Sequence, residues 1–149
     1  MANGPEETGC RIVVGVDGSE NSTYALEWAA HQAEMTGSTL EGVITWQWPM
    51  AFGAAFAYLP ADFNPADDAE KVLDIALTKA RDSHPDLQIK KLVAEGHPAP
   101  ILVEASRGAD LLVVGSRGHG EFAGMLIGSV SEHCVTNAHC PVLVFRDRD

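Results

Sequence analysis

Hydrophobic residues fall along this chain in two kinds of run. Arg11-Ile12-Val13-Val14-Gly15-Val16, Val43-Ile44-Thr45-Trp46, Asp110 to Val114 and Pro141 to Phe145 are short and nearly unbroken, rich in β-branched residues. Apolar on both faces, they predict strands buried inside a parallel sheet. Other stretches space their apolar residues by three and four. Ala25, Ala29 and Ala33, with Leu26 and Trp28 beside them, mark a helix over about 20–35. Ala69, Val72, Leu73, Ala76, Leu77 and Ala80 mark a second one.

Polar and turn residues punctuate these runs. Ser19 suits the N-cap of the first helix and Gly37 the position after its end. Thr39 to Trp46 is the second strand. Asp67 or Asp68 is placed to cap the second helix, and Pro85 stops it near Ser83. Leu87 to Ala94 reads as a third strand, followed by the turn Glu95-Gly96-His97-Pro98. Pro100 suits the first turn of a short helix that turns Ile101, Leu102 and Ala105 inward and ends at Gly108. Gly128-Ser129 opens a last helix through about Asn137. Five strands thus alternate with four helices, an α/β fold with a mostly parallel sheet and right-handed crossovers. Ligands of such sheets bind beyond the carboxyl ends of strands, where the strand order reverses. Asp17 and Gly115 stand at the ends of the first and fourth strands, and meet if those strands are neighbours.

Composition narrows the function. At 149 residues the chain is one domain with a sizeable core. No apolar run approaches the ~20 residues that span a bilayer. Residues 1–9 have no basic region and no apolar core, so they read as a flexible polar tail rather than a signal peptide. The domain proper is 10–149, expected in the cytoplasm. A net charge of -11 disfavours nucleic-acid polymers and anionic membranes, but not a single nucleotide held by backbone donors. The three cysteines, Cys10, Cys134 and Cys140, are expected as reduced thiols. His133-Cys134 and His139-Cys140 fit no zinc spacing, and packing is the better account of Cys134.

The chemistry concentrates in Gly115-Ser116-Arg117-Gly118, nine further residues, then Gly128-Ser129. A lysine-bearing phosphate loop is absent, and the first strand does not lead into a dinucleotide glycine fingerprint. The glycines nevertheless let a backbone approach a phosphate. Ser129 adds a hydroxyl at a helix start, where the macrodipole favours anions. Asp17 is placed to accept from ribose hydroxyls or to hold Mg2+. Each feature alone also reads as ordinary structure: a tight turn, a cap, a connection. Together, at two strand ends, they favour a nucleotide site. The apolar segment Trp46–Phe63 is left open between packing, a lid and a partner surface.

Val14-Gly15-Val16-Asp17-Gly18-Ser19, Gly96-His97-Pro98, Leu112 to Gly118, Leu126-Ile127-Gly128-Ser129-Val130 and Cys140-Pro141-Val142-Leu143-Val144 carry a resemblance across about Arg11 to Arg146. The sequence resembles a single-domain universal stress protein of the ATP-binding subgroup. That resemblance implies a Rossmann-like sheet of the adenine nucleotide alpha hydrolase kind. Its strand order is 3-2-1-4-5, with four helices on both faces and ATP between the first and fourth strand ends. By position, Asp17 meets the ribose or metal region with Val16 beside it, and the Thr45 backbone meets adenine. Gly115, Arg117, Gly118, Gly128, Ser129 and Val130 surround ribose and phosphates, and Gly96 lies in the matching third-strand turn. Ile44 stands where many relatives carry histidine. The resemblance also implies a homodimer through Pro141–Phe145. The expected function is regulatory ATP binding; the alternatives are a slow ATPase, a cyclic AMP binder, and an interaction protein with a vestigial site.

Overall fold

A computed structural model of the protein describes residues 9–48, 60–117 and 127–146. Residues 1–8 of the expected N-terminal tail, the middle of the Trp46–Phe63 segment, Gly118 and Leu126 lie outside the described residues. The elements run β1 (Arg11–Gly15), α1 (Glu20–Thr36), β2 (Thr39–Trp46), α2 (Pro65–Ser83), β3 (Ile89–Glu95), α3 (Pro98–Ala105), β4 (Leu111–Gly115), α4 (Ser129–Asn137) and β5 (Val142–Phe145). All pairings are parallel, in the order β3-β2-β1-β4-β5. The implied order is therefore the observed one. β1 and β4 are direct neighbours, with Ile12 opposite Leu111 and Val14 opposite Val113.

Alternation along the central strands builds two cores. Ile12 and Val14 of β1 and Val113 of β4 face α1 and α2. Val13, Leu112 and Val114 face the other way, toward Leu102 of α3 and Cys134 of α4. Strands buried on both sides need apolar residues at every position, hence the unbroken runs. α1 approaches the sheet through four fully buried alanines, Ala25, Ala29, Ala30 and Ala33. Ser19 caps it by accepting from the Ser22 N–H, and Gly37 closes it in the left-handed conformation at φ 68°.

Three boundaries differ from expectation. α2 starts at Pro65, capped by Asn64, whose Oδ1 accepts from the Ala66 N–H at 3.0 Å. Proline at the first helical position loses no needed hydrogen bond, so the helix extends back past Asp67 and Asp68. Those two carboxylates sit in its first turn and complement the dipole instead. α3 likewise begins at Pro98, which places Pro100 at its third position, where an N–H would also lack a partner. β3 begins at Ile89, because His84 to Leu87 forms a turn closed by the Leu87 N–H on the His84 carbonyl.

The ends of the sheet are fixed differently. At the amino ends, Arg11 gathers β1, β2 and the α3–β4 connection. Its guanidinium donates to Glu41, the Ala105 carbonyl and the Arg107 carbonyl, and its N–H donates to Asp110. At the carboxyl end of β2, Trp48 packs edge-on against Trp46 at 5.9 Å and against Phe63 at 6.4 Å. The described ends of the apolar segment thus pack against each other beside the end of β2.

Candidate functional site

The site grows out of two strand ends. After β1, the buried Val16 donates to the Val43 carbonyl at 2.8 Å. Asp17 then closes a tight turn on itself, its Oδ1 accepting from the Ser19 N–H at 2.8 Å. Gly18 takes φ 81°, a conformation that L side chains resist. Ser22 ties the same turn from within α1. Its hydroxyl donates to the Ser19 carbonyl and accepts from the Asp17 N–H.

After β4, the chain is clasped. Gly115 lies so close to α1 that a Cβ there would stand 3.2 Å from Asn21 Cγ. Asn21 Nδ2 donates to Ser116 Oγ at 3.1 Å and to the Arg117 carbonyl at 3.0 Å. The Ser116 carbonyl accepts from the Gly128 N–H, and Ser131 Oγ donates to the Gly115 carbonyl. The two ends of the glycine loop are therefore joined where α4 begins. Gly128 is the N-cap and offers no side-chain cap. The N–H groups of Ser129, Val130 and Ser131 have no partner within the helix, so they form a donor cluster. The start of α3, across the cleft, is poorer: Pro98 and Pro100 have no N–H to give.

Between these parts lies a cavity of about 280 Å3. Leu102, Val114 and Val130 form apolar wall, while Asp17, Ser22, Arg117 and Ser131 supply the polar groups. The volume is near the lower end of the ~300–1,000 Å3 common for ligand pockets. Gly15 keeps the floor open to Leu102, which a Cβ at that position would meet at 3.1 Å. A larger groove of about 440 Å3 runs between α1 and α2 past Leu26, Ala30 and Ala80. No helix N-terminus faces it, so size alone does not make it the better anion site.

Of the residues singled out in the sequence, Asp17, Gly115, Arg117, Gly128 and Val130 line the cavity together. Ser129 is exposed at the helix start beside them. Val16 is buried, so its side chain belongs to the core. Thr45 sits one strand over, opposite Ala94, and Gly96 donates to the Trp46 carbonyl at φ 135°. Neither lines the cavity. Asn21, Ser22, Pro98, Leu102 and Ser131 complete the site and its clasp. In the sequence Pro98 reads as part of the turn after the third strand and Leu102 as an inward residue of its helix; Ser131 stands two residues after Ser129 on the same helix start.

No group of three or more His, Cys, Asp or Glu among the described residues stands together as a metal cluster. Cys134 is fully buried, and burial pushes its thiol from 9.0 up to about 11. It is a packing residue, not a nucleophile. Burial also raises the Cys140 thiol.

Residues 10–146 match the sequence model of the universal stress protein family. The chain belongs to that family. Among its curated relatives is the Mycobacterium tuberculosis (strain H37Rv) universal stress protein Rv1996, 38% identical over 138 residues and 91% of this chain. Another is Rv2623 of the same strain, 35% identical over 142 residues and likewise 91% of this chain. The chain spans 43% and 45% of those two proteins, less than half of each. Among solved structures, a universal stress protein in complex with cAMP is 28% identical, with a TM-score of 0.67. The match covers 92% of this chain and 96% of that one. An Arabidopsis thaliana family protein with AMP bound is 19% identical, with a TM-score of 0.67 over 93% and 92%, and bears on the fold alone. Among the described residues of this universal stress protein, no helix is long and apolar enough to cross a membrane.

Proposed function

We propose that the cleft between β1 and β4 binds an adenine nucleotide, with ATP as the preferred ligand. The observation that carries this reading is the convergence of the α4 donor cluster and Arg117 on one cavity. The phosphates rest on the N–H groups of Ser129, Val130 and Ser131, and Arg117 and Gly118 continue the cradle. Asp17 takes the ribose hydroxyls or, through ATP, a Mg2+ ion, which needs few protein carboxylates when phosphates supply the rest. Val16 lies beside Asp17 in that region, the Thr45 backbone meets adenine, and Gly96 lies at the edge of that contact. The cAMP held by the 28% identical structure supports the adenine class and favours cyclic AMP as the second reading.

The role is regulatory, in a cytoplasmic stress response, rather than catalytic. Arg117 is the one cation among the described residues lining the cleft, and no lysine or histidine joins it. Phosphoryl transfer ordinarily needs a stabilising cation and a group that orients the attacking water. A slow ATPase working with a partner is the remaining enzymatic reading. ATP at 100 times its Kd is expected to stabilise the fold by about 2.7 kcal/mol, read as a rise in melting temperature. ATP, AMP and cAMP are compared in the same assay, and nucleotide released on denaturation is identified by chromatography. A melting temperature that none of them moves, with nothing released, refutes the reading.

The edges of the sheet support a homodimer through Pro141–Phe145. β3 carries Lys90 and Lys91, and Lys91 is pinned outward to Glu70 at 2.6 Å and Asp74 at 3.0 Å. β5, at the other edge, has no charged residue. Charged edges resist strand addition and bare apolar edges invite it. Lysine in place of Val144 is expected to convert dimer to monomer in sedimentation; a wild-type monomer at micromolar concentration refutes the pairing.

A further inference from the structure

Asn21 belongs to no motif singled out in the sequence, yet it joins elements 95 positions apart. It stands in the first turn of α1, directly after the Asp17-Gly18-Ser19 turn. One amide nitrogen makes two bonds across the sheet, to Ser116 Oγ and to the Arg117 carbonyl. Its Oδ1 is buried and has no hydrogen-bond partner. An unpartnered buried oxygen is costly, and turning the amide over would not remove the problem. The oxygen would then face the Arg117 carbonyl, acceptor against acceptor. The orientation is thus set by the loop, at the expense of Asn21's own oxygen.

The contact has a consequence for the cleft. Ser116 is held on three sides: its N–H donates to Phe145, its hydroxyl accepts from Asn21, and its carbonyl accepts from Gly128. Gly128 is the cap of the helix that presents the donor cluster. Asn21 therefore reaches the anion cradle from both ends, through Arg117 directly and through Ser116 to Gly128. We propose that Asn21 is the positioning residue of the nucleotide site, holding the stem of the glycine loop so that Arg117 and the start of α4 converge on the phosphates. This rests on the nucleotide reading above and adds a residue that acts without touching the ligand.

Two substitutions test it. Asn21→Leu keeps the bulk and removes the donor. Asn21→Asp keeps the shape but donates only when protonated. The charged and titratable groups at this end of the packed elements are Asp17 ahead of α1, Glu20 turned to Tyr24, Arg117 on the loop, Glu132 and His133 early in α4, and Arg146 after β5. Facing a carbonyl in a partly buried place, the introduced carboxyl titrates above its ordinary ~3.9.

Amide hydrogen exchange comes first, without ligand. Asn21→Leu is expected to raise exchange at the Ser116 and Gly128 amides at least tenfold, while the Val14 and Val113 amides in the sheet keep their protection. Unchanged exchange at Ser116 and Gly128 overturns the proposal whether or not nucleotide binds. Calorimetric titration with ATP follows. Asn21→Leu is expected to bind at least tenfold more weakly than wild type. Asn21→Asp is expected to be as weak at neutral pH and to regain part of the lost affinity as the pH falls toward about 5, since a protonated carboxyl has one O–H to donate where the amide gives two N–H. A purely structural residue predicts no such recovery relative to wild type at each pH. Variants that bind ATP as wild type does overturn the positioning role and leave the nucleotide reading standing. A wild type that binds no ATP overturns that reading and, with it, this role.

Discussion

Ser129→Asp is expected to weaken ATP binding by roughly 30-fold or more while making the free protein slightly more stable. Ser129 is the first residue of α4 and is exposed beside the cleft. A carboxylate there interacts favourably with the helix dipole, worth about 0.3–1 kcal/mol to the fold. The same charge stands where the phosphates would rest. Two like charges ~4 Å apart at an effective dielectric constant of about 20 repel by about 4 kcal/mol, of which screening leaves roughly half. A loss of ~2 kcal/mol is about 30-fold in Kd. Affinity and stability thus move in opposite directions, which a general disruption would not produce. Ser129→Ala is the control, expected to lose less than tenfold. Calorimetric titration and thermal melting check both. If Ser129→Asp binds ATP like wild type, the start of α4 does not hold the phosphates.

The largest expected effect on the fold is at Gly42, in the middle of β2. A Cβ there would stand 3.0 Å from Leu77 Cδ2 and 3.1 Å from Leu73 Cδ1, both fully buried on α2. Gly42→Val gains strand propensity worth up to ~1 kcal/mol. The overpacking it causes costs more, because both leucines are fully buried in a close-packed core and their methyls must give way. The net loss is expected to be about 2–3 kcal/mol, a fall in melting temperature of roughly 8 °C for a chain of this size. Adding Leu77→Ala should make the double variant more stable than additivity predicts, since the cavity accepts the new methyls. Urea unfolding of the four proteins checks this. A Gly42→Val protein as stable as wild type would mean that α2 does not press on β2 at this point.

Much of this fold was legible because local chemistry and tertiary need agree. β1 and β4 are buried on both faces, so their residues had to be apolar throughout. Ser19 and Gly37 bound α1 through bonds to residues a few positions away, which a linear reading captures. α2 shows the limit. Asn64, Asp67 and Asp68 are all competent caps, and the helix takes the first of them because Pro65 fits the first helical position without losing a hydrogen bond. The site divides in the same way. Gly115, Gly128 and Asp17 mark themselves by spacing at strand and helix ends. Asn21 and Leu102 do not, because their roles arise from elements far away in sequence; Ser22 bonds locally, to Ser19 and Asp17, and nothing in its spacing sets it apart. Thr45 and Gly96 were singled out by family position and stand outside the cavity lining.

The position of β1 also has a consequence for how the chain comes to be folded. One edge of β1 pairs with β2, which follows it closely, but the other waits for β4, where Ile12 meets Leu111. Arg11 waits as well, since Asp110 and the carbonyls of Ala105 and Arg107 arrive with that same stretch. As the chain leaves the ribosome, β1, α1, β2, α2 and β3 emerge as an incomplete sheet whose open edge is its most apolar strand. Such an edge pairs with whatever strand it meets first. The middle of the finished sheet thus stays open until β4 arrives, and the half-made chain is at its most sticky just before the glycine loop exists.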